Sequence, residues 1–381
     1  MTRSVPGLVL LGALVLAAAP GAAQDAPAVA KVDPPSWWTG STLNPVRLLV
    51  RGTGLHGARV EAPADSGLEV GLVRVNARGT YLFVDVGIDP AAAPGPRELT
   101  VRTALGTAAM PFEVLEPLPP AGRFQGFGPD DVFYLAMPDR FANGDPSNDD
   151  PEKSRGLLDR SKPRYYHGGD LQGVIDKLPY LQDLGITTLW LNPWYDNNDG
   201  LNWVETYDGQ PMADYHGYGA VDFYAVDEHL GDLDTLVALV EAAHARGMKV
   251  VQDQVANHTG PYHPWVEDSP TPSWYYGTKD DHLANTWQTW TLQDPGATPQ
   301  MQKATLEGWF LDFLPDLNQD DPEVARYIIQ NTLWWVGVTG LDGIRQDTLP
   351  YVHRRFWREW MAAIKKEFPD LKVVGELFDG D

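Results

Sequence analysis

Between residues 32 and 115 the apolar positions fall in short alternating runs. Five of these runs predict β-strands, at residues 46–50, 69–75, 80–86, 98–101 and 111–114. Turn-rich stretches separate them at the spacing of a β-sandwich. We therefore predict a small immunoglobulin-like β-sandwich over residues 24–118, followed by a linker rich in proline and glycine over residues 119–128.

From residue 129 onward, apolar runs alternate with amphipathic segments. The runs predict strands at residues 132–136, 187–191, 249–252, 343–346 and 372–375. The intervening segments predict helices at residues 171–184, 234–246, 322–338 and 355–368. Repeated β-then-α units imply an α/β fold with parallel strands and right-handed crossovers, built either as a doubly wound sheet or as a barrel. Five such units fit into residues 129–381.

The first 23 residues have a different pattern. Arg3 precedes an apolar run from Leu8 to Ala19, and small residues end the segment at Ala23. This order is typical of a secretory signal peptide, and the run is shorter than the ~20 residues that a membrane-spanning helix needs. We expect residues 1–23 to be removed and the mature protein to be periplasmic or secreted, with no further membrane contact.

Composition narrows the classes of function. The chain of 381 residues is 43% hydrophobic and 21% charged, which is typical of a soluble globular protein. Its formal net charge of −23 would repel a phosphate backbone, so we expect no nucleic-acid partner. The lack of cysteine excludes disulfides, a thiolate nucleophile and a cysteine-ligated zinc site.

Two carboxylates at predicted strand ends give the strongest chemical signal. In parallel α/β folds, the side chains that follow each strand converge on one rim, where reactions take place. Asp347 and Glu376 follow two consecutive predicted strands, so they should lie on neighbouring strands. Adjacent strands lie ~4.8 Å apart, which allows the ~5 Å separation of the carboxyl pair in a retaining glycosidase.

The neighbours of these two carboxylates predict different roles for them. Arg345 lies on the same strand face as Asp347 and is expected to keep that carboxylate ionised as a nucleophile. The apolar residues Val373 and Val374 are expected to desolvate Glu376 and raise its pKa towards that of a general acid.

Four sequence blocks carry a family resemblance. In chain order they are Asp253-Gln-Val-Ala-Asn-His258, Leu314-Pro-Asp-Leu-Asn-Gln319, Gly343-Ile-Arg-Gln-Asp347 and Gly375-Glu376. They resemble the α-amylase superfamily, glycoside hydrolase family 13, from about residue 131 onward. The resemblance implies a (β/α)8 TIM barrel, of which about five βα units are present, and hydrolysis of α-glucans by double displacement.

The resemblance also implies roles for single residues. Asp347 would be the nucleophile, Glu376 the acid/base, Arg345 the residue that positions the nucleophile, and Asp253 an inner carboxylate. The other implied sugar contacts are His258 and, in the segment Tyr215-His-Gly-Tyr-Gly-Ala220, His216 and Tyr218.

An acidic loop at residues 139–150 concentrates the oxygen ligands that calcium prefers. It resembles the calcium loop of cyclodextrin glucanotransferases and neopullulanases, which a later Gly-Gly-Asp completes. The resemblance implies a Ca²⁺ cofactor bound by Asn143, Asp145, Asn148, Asp149, the Gly168 carbonyl and Asp170. Asn257 is a weaker candidate for a second calcium ion, and a solvated acidic turn without metal is the alternative.

Residues 259–317 form a connection far longer than an ordinary βα loop, and the family carries an inserted subdomain at this position. Within the superfamily, the sandwich, the block Leu314–Gln319 and the segment Asp347-Thr-Leu-Pro-Tyr351 most resemble neopullulanases and cyclomaltodextrinases. The implied substrates are maltodextrins, cyclomaltodextrins and pullulan, with α-1,4 and also α-1,6 linkages, and a homodimer is an expected assembly. Pro350 and Tyr351 replace the Lys-His of many α-amylases, which argues against strict endo-amylase specificity.

Two other functions stay open, namely an α-glucan transglycosylase and a non-catalytic glucan-binding protein. The third family carboxylate, an Asp after Asn-His on the seventh strand, is not among the 381 residues. We therefore expect a truncated chain with an open barrel edge, which folds poorly by itself and hydrolyses little.

Overall fold

The computed structural model describes residues 25–378. The predicted signal peptide, residues 1–23, lies outside the described residues. Within the described part, no helix has both the length and the apolar character that a bilayer crossing demands.

A β-sandwich of two four-stranded sheets occupies the N-terminal part. Its strands are β1 (Ala28–Asp33), β2 (Ser36–Trp38), β3 (Val46–Thr53), β4 (Arg59–Glu61), β5 (Leu68–Val75), β6 (Tyr81–Ile88), β7 (Gly95–Thr103) and β8 (Gly106–Leu115). One sheet has the order β1-β3-β6-β5 and the other the order β2-β8-β7-β4. Alternate residues of the long strands are buried between the sheets, as the period-2 pattern requires. The predicted sandwich is confirmed.

The second part is built on a parallel sheet. The strands here are β9 (Phe133–Ala136), β10 (Thr188–Leu191), β11 (Tyr195–Asp196), β12 (Asn202–Tyr207), β13 (Gln210–Met212), β14 (Asp222–Val226), β15 (Lys249–Gln254), β16 (Leu283–Ala284), β17 (Gly308–Trp309), β18 (Gly343–Gln346) and β19 (Lys372–Gly375). The helices are α1 (Pro138–Phe141), α2 (Leu171–Asp183), α3 (Leu233–His244), α4 (Pro264–Glu267), α5 (Pro299–Glu307), α6 (Pro322–Thr339) and α7 (Arg354–Glu367). Short 3₁₀ helices lie at Pro146–Asn148, Thr289–Leu292 and Leu349–Tyr351.

The strand order distinguishes a barrel from a doubly wound sheet. The five parallel strands lie in the order β9-β10-β15-β18-β19. Since this order follows the chain without reversal, it lacks the switch point of a doubly wound sheet. The five strands are therefore neighbouring strands of a barrel, as predicted. Helices α2, α3, α6 and α7 come after β9, β10, β15 and β18 in the chain.

The local sequence explains where the main helices begin and end. Asp321 caps α6 by accepting the N–H of Glu323, and Pro322 occupies the first helical position. Gly340 ends α6 in the left-handed conformation, with φ at 76°. The buried stripe of α7 consists of Phe356, Trp360 and Ile364, at helical spacing.

The sandwich packs directly on the barrel. Trp38 Nε1 donates to Glu367 Oε1 at 2.8 Å. The segment 119–128 takes part in this interface, because the ring of Phe124 is buried with its centroid 4.7 Å from that of Phe368. This segment is therefore a packed connection rather than a free spacer.

Candidate active site

Asp347 and Glu376 lie at the same rim of the barrel, because the register of β18 and β19 pairs Gln346 with Gly375. The guanidinium of Arg345 bridges the two carboxylates. Its Nη1 lies 2.7 Å from Asp347 Oδ1, and its Nη2 lies 2.6 Å from Glu376 Oε1. The contact with Asp347 follows from the sequence pattern, whereas the contact with Glu376 was not predicted.

A third carboxylate, Asp253 at the end of β15, completes this group. Its Oδ1 lies 2.7 Å from Arg345 Nη1. Its Oδ2 accepts hydrogen bonds from the Tyr218 hydroxyl and from Trp190 Nε1, both at 2.9 Å. Asp253 therefore orients both Arg345 and Tyr218. Trp190 on β10, whose ring centroid lies 5.2 Å from the guanidinium carbon, was missed by the sequence analysis.

The surroundings of Asp347 and Glu376 shift their pKa values in ways that favour Glu376 as the acid and Asp347 as the base. Burial raises the pKa of Glu376, and the negative charge of Asp347 raises it further. Burial also raises the pKa of Asp347, while Arg345 opposes that rise. A hydrogen bond between the two carboxyl groups lowers the pKa of Asp347 and raises that of Glu376, so Glu376 holds the shared proton. Burial and the charge of Asp347 raise the pKa of Asp253 to about 7.

Both expected directions are present. Arg345 lowers the pKa of Asp347 as expected, although burial has the larger effect and the net pKa is raised. Burial raises the pKa of Glu376 as expected, although Val374 itself is exposed and only Val373 packs against the core. Glu376 Oε2 accepts the N–H of Thr348 at 2.9 Å. Thr348 adopts a left-handed φ of 50°, which is costly for a β-branched residue and is common at functional sites.

The two predicted histidines, His258 and His216, have different neighbours in the site. His258 is buried, its Nδ1 lies 3.2 Å from Asn257 Oδ1, and its Nε2 has no partner among residues 25–378. Burial lowers the pKa of His258 to about 4, which favours the neutral ring, and Nε2 is itself buried. His216 lies behind Tyr218, whose N–H it accepts through Nδ1 at 3.1 Å. Burial lowers the pKa of His216 to about 4 as well.

The inserted segment contributes a ring that the sequence analysis did not identify. Phe310 lies between β17 and α6, with its centroid 6.3 Å from His258 and 5.3 Å from Tyr351. Trp287 of the same segment packs 5.5 Å from Phe310. In contrast, Trp274 is buried in the core. The segment therefore lines one side of the site through Phe310.

The acidic loop at residues 139–150 is folded back on the start of α2. Asp170 caps α2 and accepts the N–H groups of Gly144, Asp145 and Gly173. Asn143 Nδ2 donates to Asp149 Oδ1 at 2.6 Å.

The donor chemistry of this loop fits a hard cation. Asn148 Oδ1 is buried and has no hydrogen-bond partner among the residues described. Asp149 Oδ1 faces Gly168, in the space that a Cβ would otherwise fill, and the exposed side chain of Arg160 reaches the same space with Nη2 3.4 Å from Asp149 Oδ2. The carboxylate of Asp145 instead accepts the N–H of Ser147. The structure therefore brings Asn143, Asp149 and Gly168 together, and holds Asp145 and Asp170 in backbone hydrogen bonds.

The predicted second calcium position has a similar feature. Asn257 Nδ2 donates to Asp316 Oδ1 at 2.8 Å, while Asp316 Oδ2 is buried without a partner in the described part of the chain. Burial raises the pKa of Asp316 well above its ordinary value. Asp316, from the block Leu314–Gln319, was not among the predicted ligands.

Two further groups of titratable side chains lie near the rim, and neither has an open metal position. Asp196, Asp199 and Glu228 surround Lys153, whose Nζ lies 2.8, 2.9 and 3.4 Å from them, so a cation already occupies that cluster.

Glu205, Asp214 and His216 also lie together, with ligand atoms within 4.8 Å of one another. Because His216 Nδ1 accepts the N–H of Tyr218, the imidazole proton is on Nε2, which faces Glu205 Oε2 at 3.9 Å. The ring therefore offers no lone pair to a metal.

Family models match both parts of the chain. The alpha amylase catalytic domain matches residues 135–381, and the cyclomaltodextrinase N-terminal domain matches residues 31–116. The chain therefore belongs to the alpha-amylase family, and the predicted family resemblance is confirmed.

Relatives that match this chain extend well beyond the matched region. Neopullulanase 2 of Thermoactinomyces vulgaris is 33% identical over 260 residues, which cover 65% of this chain and 38% of the relative. A Bacillus cyclomaltodextrinase is 32% identical over 258 residues, which cover 65% of this chain and 41% of the relative. The chain thus spans about two fifths of the length of these relatives.

Solved structures of alpha-amylases are also similar to this chain over about two thirds of its length. An Anoxybacillus alpha-amylase has a TM-score of 0.54 at 38% identity, over 66% of this chain and 48% of that chain. The Geobacillus thermoleovorans alpha-amylase, solved with acarbose, has a TM-score of 0.52 at 36% identity, over 66% of this chain and 47% of that chain.

Proposed function

We propose that this protein is a retaining glycoside hydrolase that acts on α-1,4-linked glucans, with maltodextrins, cyclomaltodextrins and pullulan as the substrate class. The observation that carries the proposal is the bridging of Asp347 and Glu376 by one guanidinium at the end of neighbouring strands. The names of the relatives, neopullulanase and cyclomaltodextrinase, support the substrate class and favour hydrolysis over transglycosylation. Cleavage of α-1,6 bonds in pullulan is part of the same proposal.

The geometry supports a double displacement. Glu376, which holds the shared proton, donates it to the glycosidic oxygen as the bond to the anomeric carbon breaks. The Asp347 carboxylate attacks that carbon from the opposite face and forms a glycosyl-enzyme. Glu376, now ionised, takes a proton from water, which releases the sugar and restores Asp347. Two inversions leave the anomeric configuration unchanged.

The surrounding residues have positioning roles in this scheme. Arg345 keeps the two carboxyl groups at a fixed separation, and Asp253 orients Arg345. The neutral ring of His258 packs beside Phe310 at the side of the site, with Nε2 buried. Tyr218, anchored by its hydroxyl on Asp253, presents its ring to the same space.

A product assay tests the proposal. We expect the protein expressed from its whole reading frame to release maltose from maltodextrin and cyclodextrin, and panose or maltose from pullulan. NMR during the first turnovers should show the α-anomer as the initial product, because the mechanism retains configuration. An initial β-anomer would contradict the double displacement, and products longer than the substrate would indicate transglycosylation.

Calcium binding is a second part of the proposal. The residues that would hold the ion are Asn143, Asn148, Asp149 and the Gly168 carbonyl, with Asp145 and Asp170 at the edge of the loop, and the ion would tie the loop to the start of α2. Its contribution would be structural rather than chemical.

We expect calcium at a hundredfold excess over its Kd to stabilise the protein by about 2.7 kcal/mol, visible as a rise in Tm that a chelator reverses. Asp149→Asn should remove this rise. The control is Asp159→Asn, because Asp159 is an aspartate of the neighbouring loop that accepts the N–H of Ser161 and is not among the residues that would hold the ion. A calcium-dependent Tm that survives in Asp149→Asn would place the ion elsewhere.

Export and assembly complete the proposal. Export to the periplasm or medium is supported by the pattern of residues 1–23. A homodimer is proposed from the family resemblance alone.

A further inference from the structure

A β-hairpin stands at the edge of the candidate active site. Strands β12 and β13 form it, and Asp208 and Gly209 make the turn with φ values of 50° and 71°. The hairpin carries Trp203, which is the most exposed tryptophan of residues 25–378, with 67% of its surface open. Exposed apolar surface of this kind commonly marks a binding site.

The base of the hairpin is fixed on both sides. Asn202 Nδ2 donates to Asp214 Oδ1 at 2.9 Å, and Asn202 Oδ1 accepts two backbone N–H groups of its own strand. The N–H of Trp203 donates to the hydroxyl oxygen of Tyr262 at 3.0 Å. A ring on such a base loses little conformational entropy when a ligand binds to it.

Both anchors belong to segments that enter the active site. Tyr262 lies four residues after His258, and Asp214 lies four residues before Tyr218. In space, Glu205 of the hairpin lies with Asp214 and His216, and His216 in turn accepts the N–H of Tyr218, so the hairpin packs against the segment that carries Tyr218.

The surroundings of Trp203 favour a neutral ligand rich in hydroxyl groups. Its indole has no other ring and no cation over it among the residues described, whereas Arg164 covers the ring of Tyr207 at 4.9 Å. Glu205, two positions further along the strand, directs its carboxylate towards His216, with Oε2 3.9 Å from Nε2. A net charge of −23 disfavours an anionic chain. A sugar fits such a site, because it combines an apolar face with a rim of hydroxyl groups.

We propose that Trp203 is a sugar-stacking subsite that binds an α-glucan chain beyond the glucose unit held at Asp347 and Glu376. This inference rests on the proposed function, since the glucan is the ligand that connects the two places. The subsite selects for length, because only a chain that spans the distance from the carboxyl pair to the hairpin gains the contact.

Calorimetry with maltoheptaose and maltotriose tests the subsite. The protein expressed from its whole reading frame is used with Asp347→Asn, so that bound glucan is not consumed. We expect Trp203→Ala to raise the Kd for maltoheptaose about tenfold and to leave the Kd for maltotriose within about twofold. Trp203→Phe should recover most of the affinity because it keeps a ring. Tyr180→Ala removes another exposed ring, that of Tyr180 on α2 with 59% of its surface open, and should change neither Kd.

Each other outcome has a definite meaning. Unchanged maltoheptaose binding, or equal losses for both sugars, would overturn the subsite, since equal losses indicate a structural role of the hairpin. Loss of self-association with unchanged glucan binding would make the face an interface between copies, and would overturn it too. If Trp203→Ala weakens binding but the protein with Asp347 intact hydrolyses no glucan, the subsite stands and the proposed hydrolysis fails. If no glucan binds at all, both fail.

Discussion

Asp347→Asn is expected to lower kcat for maltodextrin by about 10⁴-fold or more while the protein stays folded. Asparagine has nearly the same shape as aspartate, but its amide cannot form the glycosyl-enzyme. It also removes the negative charge that raises the pKa of Glu376, so the acid weakens its hold on the proton. The measurement is steady-state hydrolysis of maltodextrin by the protein expressed from its whole reading frame, with circular dichroism to establish folding.

A variant at the other end of the same strand separates chemistry from stability. Asp342 is buried just before β18 and accepts the N–H groups of Gln125 and Val250, and it has no contact with the rim. Asp342→Asn should therefore lower Tm while kcat of the folded protein stays near that of the parent. If Asp347→Asn keeps normal turnover, or if both variants lose activity in proportion to stability, Asp347 is not the nucleophile.

Replacing the carboxylate by a small exogenous nucleophile tests the same role directly. Asp347→Ala leaves a space beneath the anomeric carbon, and azide that enters it attacks from the face that Asp347 occupies. We expect this variant to form a β-glycosyl azide, with inversion, from an α-glucan.

The regular pattern of apolar and polar positions along the chain predicts the long strands of the sandwich and the five parallel strands of the barrel. Strands β18 and β19 coincide with the predicted residues 343–346 and 372–375, and in both a glycine lies at one end of the strand. Strands β1, β2 and β4 of the sandwich were not predicted. β1 has six residues and lies mostly before the region in which alternating runs were recognised. β2 and β4 have only three residues each, and all three residues of β2 are buried, so β2 shows no alternation. Their positions depend on pairing with β8 and β7, which no local pattern reveals.

In the candidate site, some residues could be predicted from the sequence and others could not. Asp253, Asp347 and Glu376 could be predicted because parallel strands place their end residues on one rim, whatever the loops do. Trp190 and Phe310 could not, because their contacts with the site depend on tertiary packing.

The sequence of the hairpin at residues 202–212 contains a turn motif that predicts it. Asp208-Gly209 between short polar and aromatic runs favours a two-residue turn with positive φ at both positions, which is what the structure contains. Its place beside the active site could not be predicted, because the contact of Trp203 with Tyr262 joins residues 59 positions apart.

Arg345→Met is the second variant from which we expect a large effect. Arg345 is the cation that contacts Asp253, Asp347 and Glu376 together, and its charge lowers the pKa of all three. Without it, the three carboxyl groups repel one another and each pKa rises. Since Asp347 must be ionised to attack, the acidic limb of the kcat/KM profile should move to higher pH. We also expect a loss at neutral pH on the order of a thousandfold.

The control for this prediction is Arg345→Lys, because lysine keeps the charge of arginine and lacks its forked guanidinium. Arg345 contacts Asp347 through Nη1 and Glu376 through Nη2, so the single ammonium of Arg345→Lys keeps the charge but cannot repeat both contacts. The lysine variant should therefore show a smaller shift of the acidic limb than the methionine variant, with kcat still reduced. Arg102→Met, which breaks an exposed ion pair with Glu61 in the sandwich, should leave the profile unchanged. If Arg345→Met loses activity with its acidic limb in place, Arg345 contributes through packing, and its charge does not set the ionisation of the nucleophile.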